Sequence, residues 1–227
     1  MGWSFNRLRM IGYGALRGLR NLSLITVFGA SVAQADEIVV AALGDSLTAG
    51  YGLVPSQGFV AQLDGWLEEQ GLAVEMRNAG VSGDTTAGGL ARVDWTLTDD
   101  VDGMIVALGA NDYLRGLDPS LTRANIRGIL EAAAAKDVSV MLVGLDVGNN
   151  YGPDYKAAFD AIYTDLAVEF GAPLYPAFFA ALVAASGDGT ITPFMQADGL
   201  HPSAEGVELI VADMGPMVAD FIRGLED

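Results

Sequence analysis

The sequence has no cysteine and only one histidine, His201, among its 227 residues. The lack of cysteine excludes disulfides, a thiol nucleophile and thiolate metal ligands, and a lone histidine argues strongly against a poly-histidine metal site. Basic residues are also scarce, since 12 lysines and arginines stand against 29 aspartates and glutamates and give a net charge of −17. An acidic surface repels phosphate backbones, so the composition argues against nucleic acid as a partner.

Residues 1–35 have the pattern of a secretory signal that is removed on export. Arginines without any acidic residue come first, an apolar run follows at 22–30, and Ala33-Gln34-Ala35 offers a small-x-small cleavage site. The alternative is a membrane anchor, but a bilayer span needs about 20 apolar residues and this run is shorter. We therefore expect cleavage after Ala35, a periplasmic or secreted protein without stable membrane insertion, and a working chain of residues 36–227 that forms a single domain.

Short apolar runs alternate with longer amphipathic segments along residues 36–227. The strand candidates in this alternation are the segments 38–43, 74–78, 103–108, 138–145 and 173–175. The runs at 104–108 and 138–143 are nearly continuous in Val, Ile, Met and Leu, which is typical of parallel strands that are covered on both faces. The amphipathic segments predict helices at 57–70, 85–98, 119–136, 154–170 and 203–224. This alternation favours one doubly wound α/β sandwich, in which ligands bind at the carboxyl ends of the strands.

Small and polar residues follow the first three predicted strands, at the edge where a substrate would bind. Gly44-Asp45-Ser46 follows the first strand, Gly83 lies in the loop after the second, and Asn111 follows the third. Asp198 and His201 lie close together in a loop before the last predicted helix. A serine attacks a carbonyl carbon only when an imidazole accepts its proton and a carboxylate orients that imidazole. The pattern predicts Ser46 as nucleophile, His201 as general base and Asp198 as the orienting acid.

Each of these residues also has a structural explanation. His201 precedes a helix that Ser203 could cap, with Asp198 in the turn before it. The combination favours catalysis, because a serine exposed after a strand needs a base and the chain has no other histidine. Gly83 could form a turn or present its N–H to an oxyanion, and Asn111 could cap a loop or donate its amide, so for these two residues both interpretations stay open.

The segment around Ser46 argues against two other site classes. Residues 44–52 are rich in glycine, but the lysine of a phosphate-binding loop is missing after them. Thr48 stands where the Gly-x-Ser-x-Gly elbow of α/β-hydrolases has its second glycine. We assign Asp45 and Asn78 mainly to structure, as residues that hydrogen-bond within turns and between loops.

Taken together, the motifs resemble the SGNH, or GDSL-type, hydrolase family, whose letters fall on Ser46, Gly83, Asn111 and His201. The similarity is more specific to a bacterial periplasmic branch of multifunctional thioesterases, arylesterases and lysophospholipases, and extends in matching order over residues 78–85, 88–92, 114–116, 150–152 and 195–202. The resemblance implies a flavodoxin-like three-layer α/β/α sandwich with a five-stranded parallel sheet.

For the chemistry, the resemblance implies hydrolysis of esters or thioesters through an acyl-enzyme on Ser46. The oxyanion hole would consist of the backbone N–H groups of Ser46 and Gly83 and the side chain of Asn111. The substrate would be a small-molecule or lipid-derived acyl ester, and no metal or cofactor is implied. Two alternatives remain: a carbohydrate O-acetylesterase, and a non-catalytic periplasmic binding protein, which the intact set of motif residues disfavours.

The chain departs from the family pattern beside the oxyanion donor. The usual Gly-Gly-Asn-Asp is Gly109-Ala110-Asn111-Asp112 here, and Tyr113 follows in place of a small residue. A phenol at this position would narrow the acyl channel, so we expect Tyr113 and Leu114 to contact the substrate. The segment 146–149 is also less apolar than in that branch. Both departures favour short to medium acyl chains.

Overall fold

The computed structural model describes residues 37–226, so the predicted signal segment lies outside the described residues and its cleavage stays a prediction. Five parallel strands form one sheet in the order β2-β1-β3-β4-β5. The strands are β1 (Ile38–Gly44), β2 (Val74–Gly80), β3 (Gly103–Ala107), β4 (Ser139–Val143) and β5 (Leu174–Tyr175). This is the flavodoxin-like order, and the chain reverses its winding direction between β1 and β3. The predicted five-stranded parallel α/β fold is confirmed.

Helices connect successive strands on both faces of the sheet. The long helices match the predicted ones closely: α2 (Phe59–Glu69), α3 (Thr86–Thr96), α5 (Pro119–Ala134), α6 (Pro153–Phe170) and α8 (Ala204–Arg223). Three short helices were not predicted: α1 (Ser46–Ala49), α4 (Ala110–Leu114) and α7 (Ala180–Ser186). Single turns of 3₁₀ helix occur at Pro55–Gln57 and Thr192–Phe194. No helix within residues 37–226 is both long and apolar enough to cross a membrane.

Local sequence signals set the ends of the long helices. The hydroxyl groups of Thr85 and Ser203 accept backbone N–H groups at the starts of α3 and α8. Asp118 caps α5 in the same way, and Pro119 follows it at the first helical position, where a missing N–H costs nothing. Gly171 ends α6 in the left-handed conformation with φ 64°, which an L side chain adopts only with strain.

Apolar side chains cover both faces of the sheet. Alternate residues of β1 separate into two clusters, with Val40 packed beneath α2 and α8 and Val39 on the face of α3, α5 and α6. Phe59 of α2 and Phe159 of α6 are almost fully buried, one on each face. Burying such a side chain contributes about 1.5–3 kcal/mol to the free energy of unfolding. With both faces covered, the carboxyl edge of the strands is left for function.

Candidate active site

Ser46 is held at the carboxyl end of the central strand β1 by a sharp turn. β1 ends at Gly44, Asp45 caps the short helix α1, and Ser46 is the first residue of that helix. A Cβ atom at Gly44 would collide with the side chain of Thr48, so this position requires glycine. The turn places the Ser46 hydroxyl at the rim of the sheet and its backbone N–H at a helix N-terminus, where negative charge is favoured.

The side chains of Ser46, His201 and Asp198 form a continuous hydrogen-bonded chain. His201 Nε2 lies 2.8 Å from Ser46 Oγ, and His201 Nδ1 lies 2.6 Å from Asp198 Oδ2. Asp198 Oδ1 also accepts the backbone N–H groups of Leu200 and His201 at 2.9 and 3.1 Å. Because a carboxylate only accepts, Nδ1 carries the ring proton and Nε2 is left to accept the proton of Ser46.

Hydrogen bonding keeps Asp198 ionised. The bond from His201, together with the two backbone N–H groups, lowers the pKa of Asp198 to about 2. The carboxylate is therefore charged at neutral and mildly acidic pH. It fixes the imidazole orientation and favours an imidazolium when one forms.

The loop after β2 brings Gly83 to the same site. Asp84 N–H donates to the carbonyl of Val81 at 3.0 Å, and Gly83 has φ 83°, which together define a type II turn with glycine at its third position. Within the described residues, the N–H of Gly83 donates to no acceptor. Arg115 donates to the Gly83 carbonyl at 2.8 Å. Gly83 thus forms the turn and also lines the cavity beside Ser46.

Asn111 approaches from the loop after β3, in the first turn of α4. Its Nδ2 donates to Asp45 Oδ2 at 3.3 Å, and the residue lines the cavity beside Ser46. Asp45 is 1% exposed. Burial raises the pKa of Asp45 to about 6, against the opposing effect of hydrogen bonds from Leu47 N–H and the Asn111 amide.

Ser46 opens onto a cavity of about 330 Å³ at this edge of the sheet. One part of the wall carries the polar groups described above. The rest is mainly apolar, although Ser82 and Asp146 also line it. Its apolar residues include the two predicted substrate contacts, Tyr113 and Leu114, together with Tyr51, Leu145, Phe179, Ile191, Met195 and Leu200. Parts of an acyl chain of modest length would be buried in such a space.

The predicted nucleophile, base and orienting carboxylate therefore lie with the candidate oxyanion donors at one cavity. Residues 42–209 match the GDSL-like Lipase/Acylhydrolase family. The chain belongs to this family. Esterase TesA of Pseudomonas aeruginosa is 36% identical over 190 residues, which cover 83% of this chain and 92% of that protein. The thioesterase 1/protease 1/lysophospholipase L1 of Escherichia coli strain K12 is 36% identical over 193 residues, covering 84% and 83%. The crystal structure of AlinE4, an SGNH-hydrolase family esterase, has a TM-score of 0.67 and 39% identity, covering 83% of this chain and 98% of that one.

In this GDSL-type chain, Gln196 connects the histidine loop to the nucleophile loop. Its Nε2 donates to the carbonyls of Tyr51 at 2.8 Å and Pro202 at 3.0 Å, while its backbone N–H donates to the carbonyl of His201 at 2.8 Å. The ring of Tyr51 packs on the imidazole with centroids 4.6 Å apart. Sequence reasoning did not assign Gln196 a role, and its only signal was its place within the resemblance at 195–202.

Arg92 performs a similar task for the loops after β1 and β2. Its guanidinium donates to the carbonyls of Gly44 at 2.9 Å and Ala79 at 2.7 Å, and it forms a partly buried ion pair with Asp84. One side chain thus joins the strand end that carries Ser46 to the loop that carries Gly83. Asn78 bonds across the same region, donating to the carbonyl of Thr48 at 3.2 Å.

The wall formed by Tyr113 is itself supported by aromatic packing. Its ring contacts those of Tyr151, Tyr155 and Phe159 at centroid distances of 5.7, 6.3 and 6.0 Å. Tyr151 and Tyr155 in turn donate to the carbonyls at 114 and 117, which anchors the loop after α4. These contacts hold Tyr113 at the cavity wall.

Proposed function

We propose that this chain is an exported serine esterase that hydrolyses carboxylic esters and thioesters through an acyl-enzyme on Ser46. The observation that carries the proposal is the hydrogen-bonded series from Ser46 through His201 to Asp198 at the mouth of an apolar cavity. Family membership supports the same chemistry, and so do the relatives named esterase and thioesterase.

The reaction proceeds in two acyl transfers. His201 Nε2 takes the Ser46 proton as Oγ attacks the carbonyl carbon, and the resulting tetrahedral oxyanion is stabilised by the N–H groups of Ser46 and Gly83 and by the Asn111 amide. His201 then donates its proton to the leaving alcohol or thiol, which departs and leaves the acyl group on Ser46. A water molecule, deprotonated by His201, attacks this acyl group, and return of the proton to Ser46 releases the carboxylic acid. Asp198 stays ionised throughout.

The cavity wall suits an uncharged acyl chain of short to medium length. Tyr113 and Leu114 act as substrate-binding residues, since both line the cavity and packing fixes the ring of Tyr113. The apolar lining favours an acyl ester over the acetylated sugar that a carbohydrate esterase would bind. No observation within residues 37–226 specifically favours that second activity, so we do not propose it.

We further propose that residues 1–35 direct export and are cleaved, and that residues 36–227 form the single hydrolase domain. The support is the order of basic, apolar and small residues in the first segment. The released enzyme would act in the periplasm or outside the cell without a membrane anchor.

Turnover of p-nitrophenyl esters of graded chain length tests the mechanism, with purified residues 36–227. Ser46→Ala is expected to lose activity by roughly 10³-fold or more, because no other group replaces the nucleophile. Ser139→Ala is the matched control, since Ser139 is exposed at the opposite end of the sheet, at the start of β4. Equal turnover by Ser46→Ala and the unaltered protein would overturn the proposal.

A further inference from the structure

Asp45 is a buried carboxylate that the reaction above does not use. It directly precedes Ser46, and the residue is 1% exposed. One oxygen, Oδ1, accepts the backbone N–H of Leu47 at 3.0 Å and so caps α1. The other, Oδ2, accepts Asn111 Nδ2 at 3.3 Å. The carboxylate therefore touches both the nucleophile turn and the side chain of an oxyanion donor.

An asparagine amide has two ends of opposite character. Its NH₂ group donates twice and its oxygen only accepts, and the two ends exchange places when the amide rotates by half a turn. Only one of the two orientations presents a donor to a developing oxyanion. A carboxylate beside the amide selects that orientation, because it accepts and cannot donate. The second N–H on Asn111 Nδ2 then remains free for the substrate.

We propose that Asp45 is a positioning residue of the oxyanion hole, whose ionised carboxylate holds the Asn111 amide with its donor toward the substrate oxygen. The inference rests on the proposed esterase function and adds a requirement to it. Asp45 then has two roles: it caps α1, the helix that carries Ser46, and it fixes the orientation of the Asn111 amide.

The charge on Asp45 is set by its neighbours. His201 favours the ionised form, while Asp112 of α4 opposes it. Tyr163 of α6 also lies near, but its hydroxyl donates to the carbonyl of Leu108 and burial raises its own pKa, so it stays neutral. With the pKa of Asp45 at about 6, the carboxylate is ionised at neutral pH and becomes protonated in mild acid.

Asp45→Asn is the most specific test, because it keeps the shape of the side chain and replaces one accepting oxygen by a donating NH₂ group. The new side chain can still cap α1 with its oxygen, but its NH₂ group then faces the NH₂ group of Asn111. The Asn111 amide is expected to rotate by half a turn to avoid this contact, which places its oxygen instead of its NH₂ group beside the oxyanion. We expect kcat to fall by about 10²–10³-fold, as for removal of one oxyanion donor, with KM nearly unchanged. Asp102→Asn is the control, since Asp102 accepts a backbone N–H from Val39 at the opposite end of the sheet.

A double-mutant cycle separates this role from general damage. Asn111→Ala alone should cost a similar factor, and adding Asp45→Asn to it should cost little more, because no amide remains to be misoriented. Losses that multiply in the double variant, or an Asp45→Asn variant that retains kcat, would overturn the inference. Neither result would touch the proposed function, which Ser46→Ala tests separately.

The pH profile provides a second test if Asp45→Asn does not fold. His201 must be neutral and Asp45 ionised for full activity, so kcat/KM of the unaltered protein should fall in acid more steeply than one proton requires. In Asn111→Ala the protonation of Asp45 should no longer affect kcat/KM, so the acid side of the pH profile should follow a single protonation. An unaltered protein with a one-proton limb, or an Asn111→Ala variant that keeps the steeper one, would contradict the inference.

Discussion

Ser46 Oγ and His201 Nε2 lie 2.8 Å apart although the two residues are 155 positions apart in the sequence. Two backbone features produce this distance. Ser46 stands on the turn from β1 into α1, and His201 stands on the loop that leads into α8. Because α8 packs against α2 on one face of the sheet, the loop before it is held over the end of β1. The close approach of Ser46 and His201 is thus a consequence of core packing.

Replacement of Asp198 tests the orientation of the imidazole. In Asp198→Asn the new amide can donate to Nδ1, which stabilises the tautomer that cannot accept the Ser46 proton. We expect kcat for a p-nitrophenyl ester to fall by roughly 10²–10⁴-fold with little change in KM. Since the pKa of Asp198 is about 2, this residue should add no inflection to the pH profile above about pH 4. An Asp198→Asn variant with unchanged kcat would contradict its assignment.

Gln196 should matter for rate although it does not line the cavity. Gln196→Ala removes two hydrogen bonds that hold the histidine loop against the carbonyls of Tyr51 and Pro202. Each bond contributes about 0.5–1.5 kcal/mol, so we expect a loss of roughly tenfold in kcat and a lower Tm. Gln57→Ala is a suitable control, because Gln57 is an exposed glutamine outside the cavity lining. Full activity in Gln196→Ala would show that the loop holds its position without these bonds.

Tyr113 is expected to set the acyl chain length. Tyr113→Ala removes a ring from the cavity wall, and the space gained should raise kcat/KM for longer p-nitrophenyl esters relative to shorter ones. Loss of the packing against Tyr151, Tyr155 and Phe159 should also lower the Tm. Leu121→Ala, at an exposed position on α5, controls for a general change. An unchanged chain-length profile in Tyr113→Ala would remove Tyr113 from the acyl site.

Because Asp45 is buried, we expect the ionisation of its carboxyl group to lower the free energy of unfolding as pH rises. Its pKa rises from 3.8 to about 6 on folding, so the folded protein binds this proton more tightly than the unfolded chain. The protonated carboxyl therefore adds to the free energy of unfolding, and this contribution is fully present below pH 3.8 and is lost as pH rises through 6. The loss between the two limits is about 3 kcal/mol at pH 7. In urea unfolding from pH 4 to 7, Asp45→Asn should therefore gain stability relative to the unaltered protein as pH rises. A constant difference across that range would show that ionised Asp45 is not costly, with Asp102→Asn as the control.

The sequence predicted the centre of the sheet well because β1, β3 and β4 are apolar runs that are buried on both faces, whereas β2 is more polar and only partly buried. The short helices α1, α4 and α7 escaped prediction, since one or two turns carry no recognisable period. The strand predicted at 138–145 ends at Val143, and Leu145 lines the cavity instead. Hydrophobicity alone cannot distinguish a core residue from a cavity wall.

The candidate site was predictable as a set of residue types, while the contacts between them were not. Ser46, Gly83, Asn111, Asp198 and His201 were predicted from their places after strands and before the last helix, and their catalytic roles stay predictions. The bond between Asp45 and Asn111 joins residues 66 positions apart, and only the packed sheet brings them together. The same holds for Gln196 and Arg92, whose partners are backbone carbonyls that carry no sequence signature.

Trapping the acyl-enzyme tests the proposed mechanism most directly. A p-nitrophenyl ester mixed with residues 36–227 and quenched in acid within one turnover should leave its acyl group on the protein, and mass spectrometry of the digested chain should locate it on Ser46. We expect one acyl adduct on the peptide that contains Ser46, and none in Ser46→Ala. An adduct on another residue, or rapid turnover by Ser46→Ala, would contradict it.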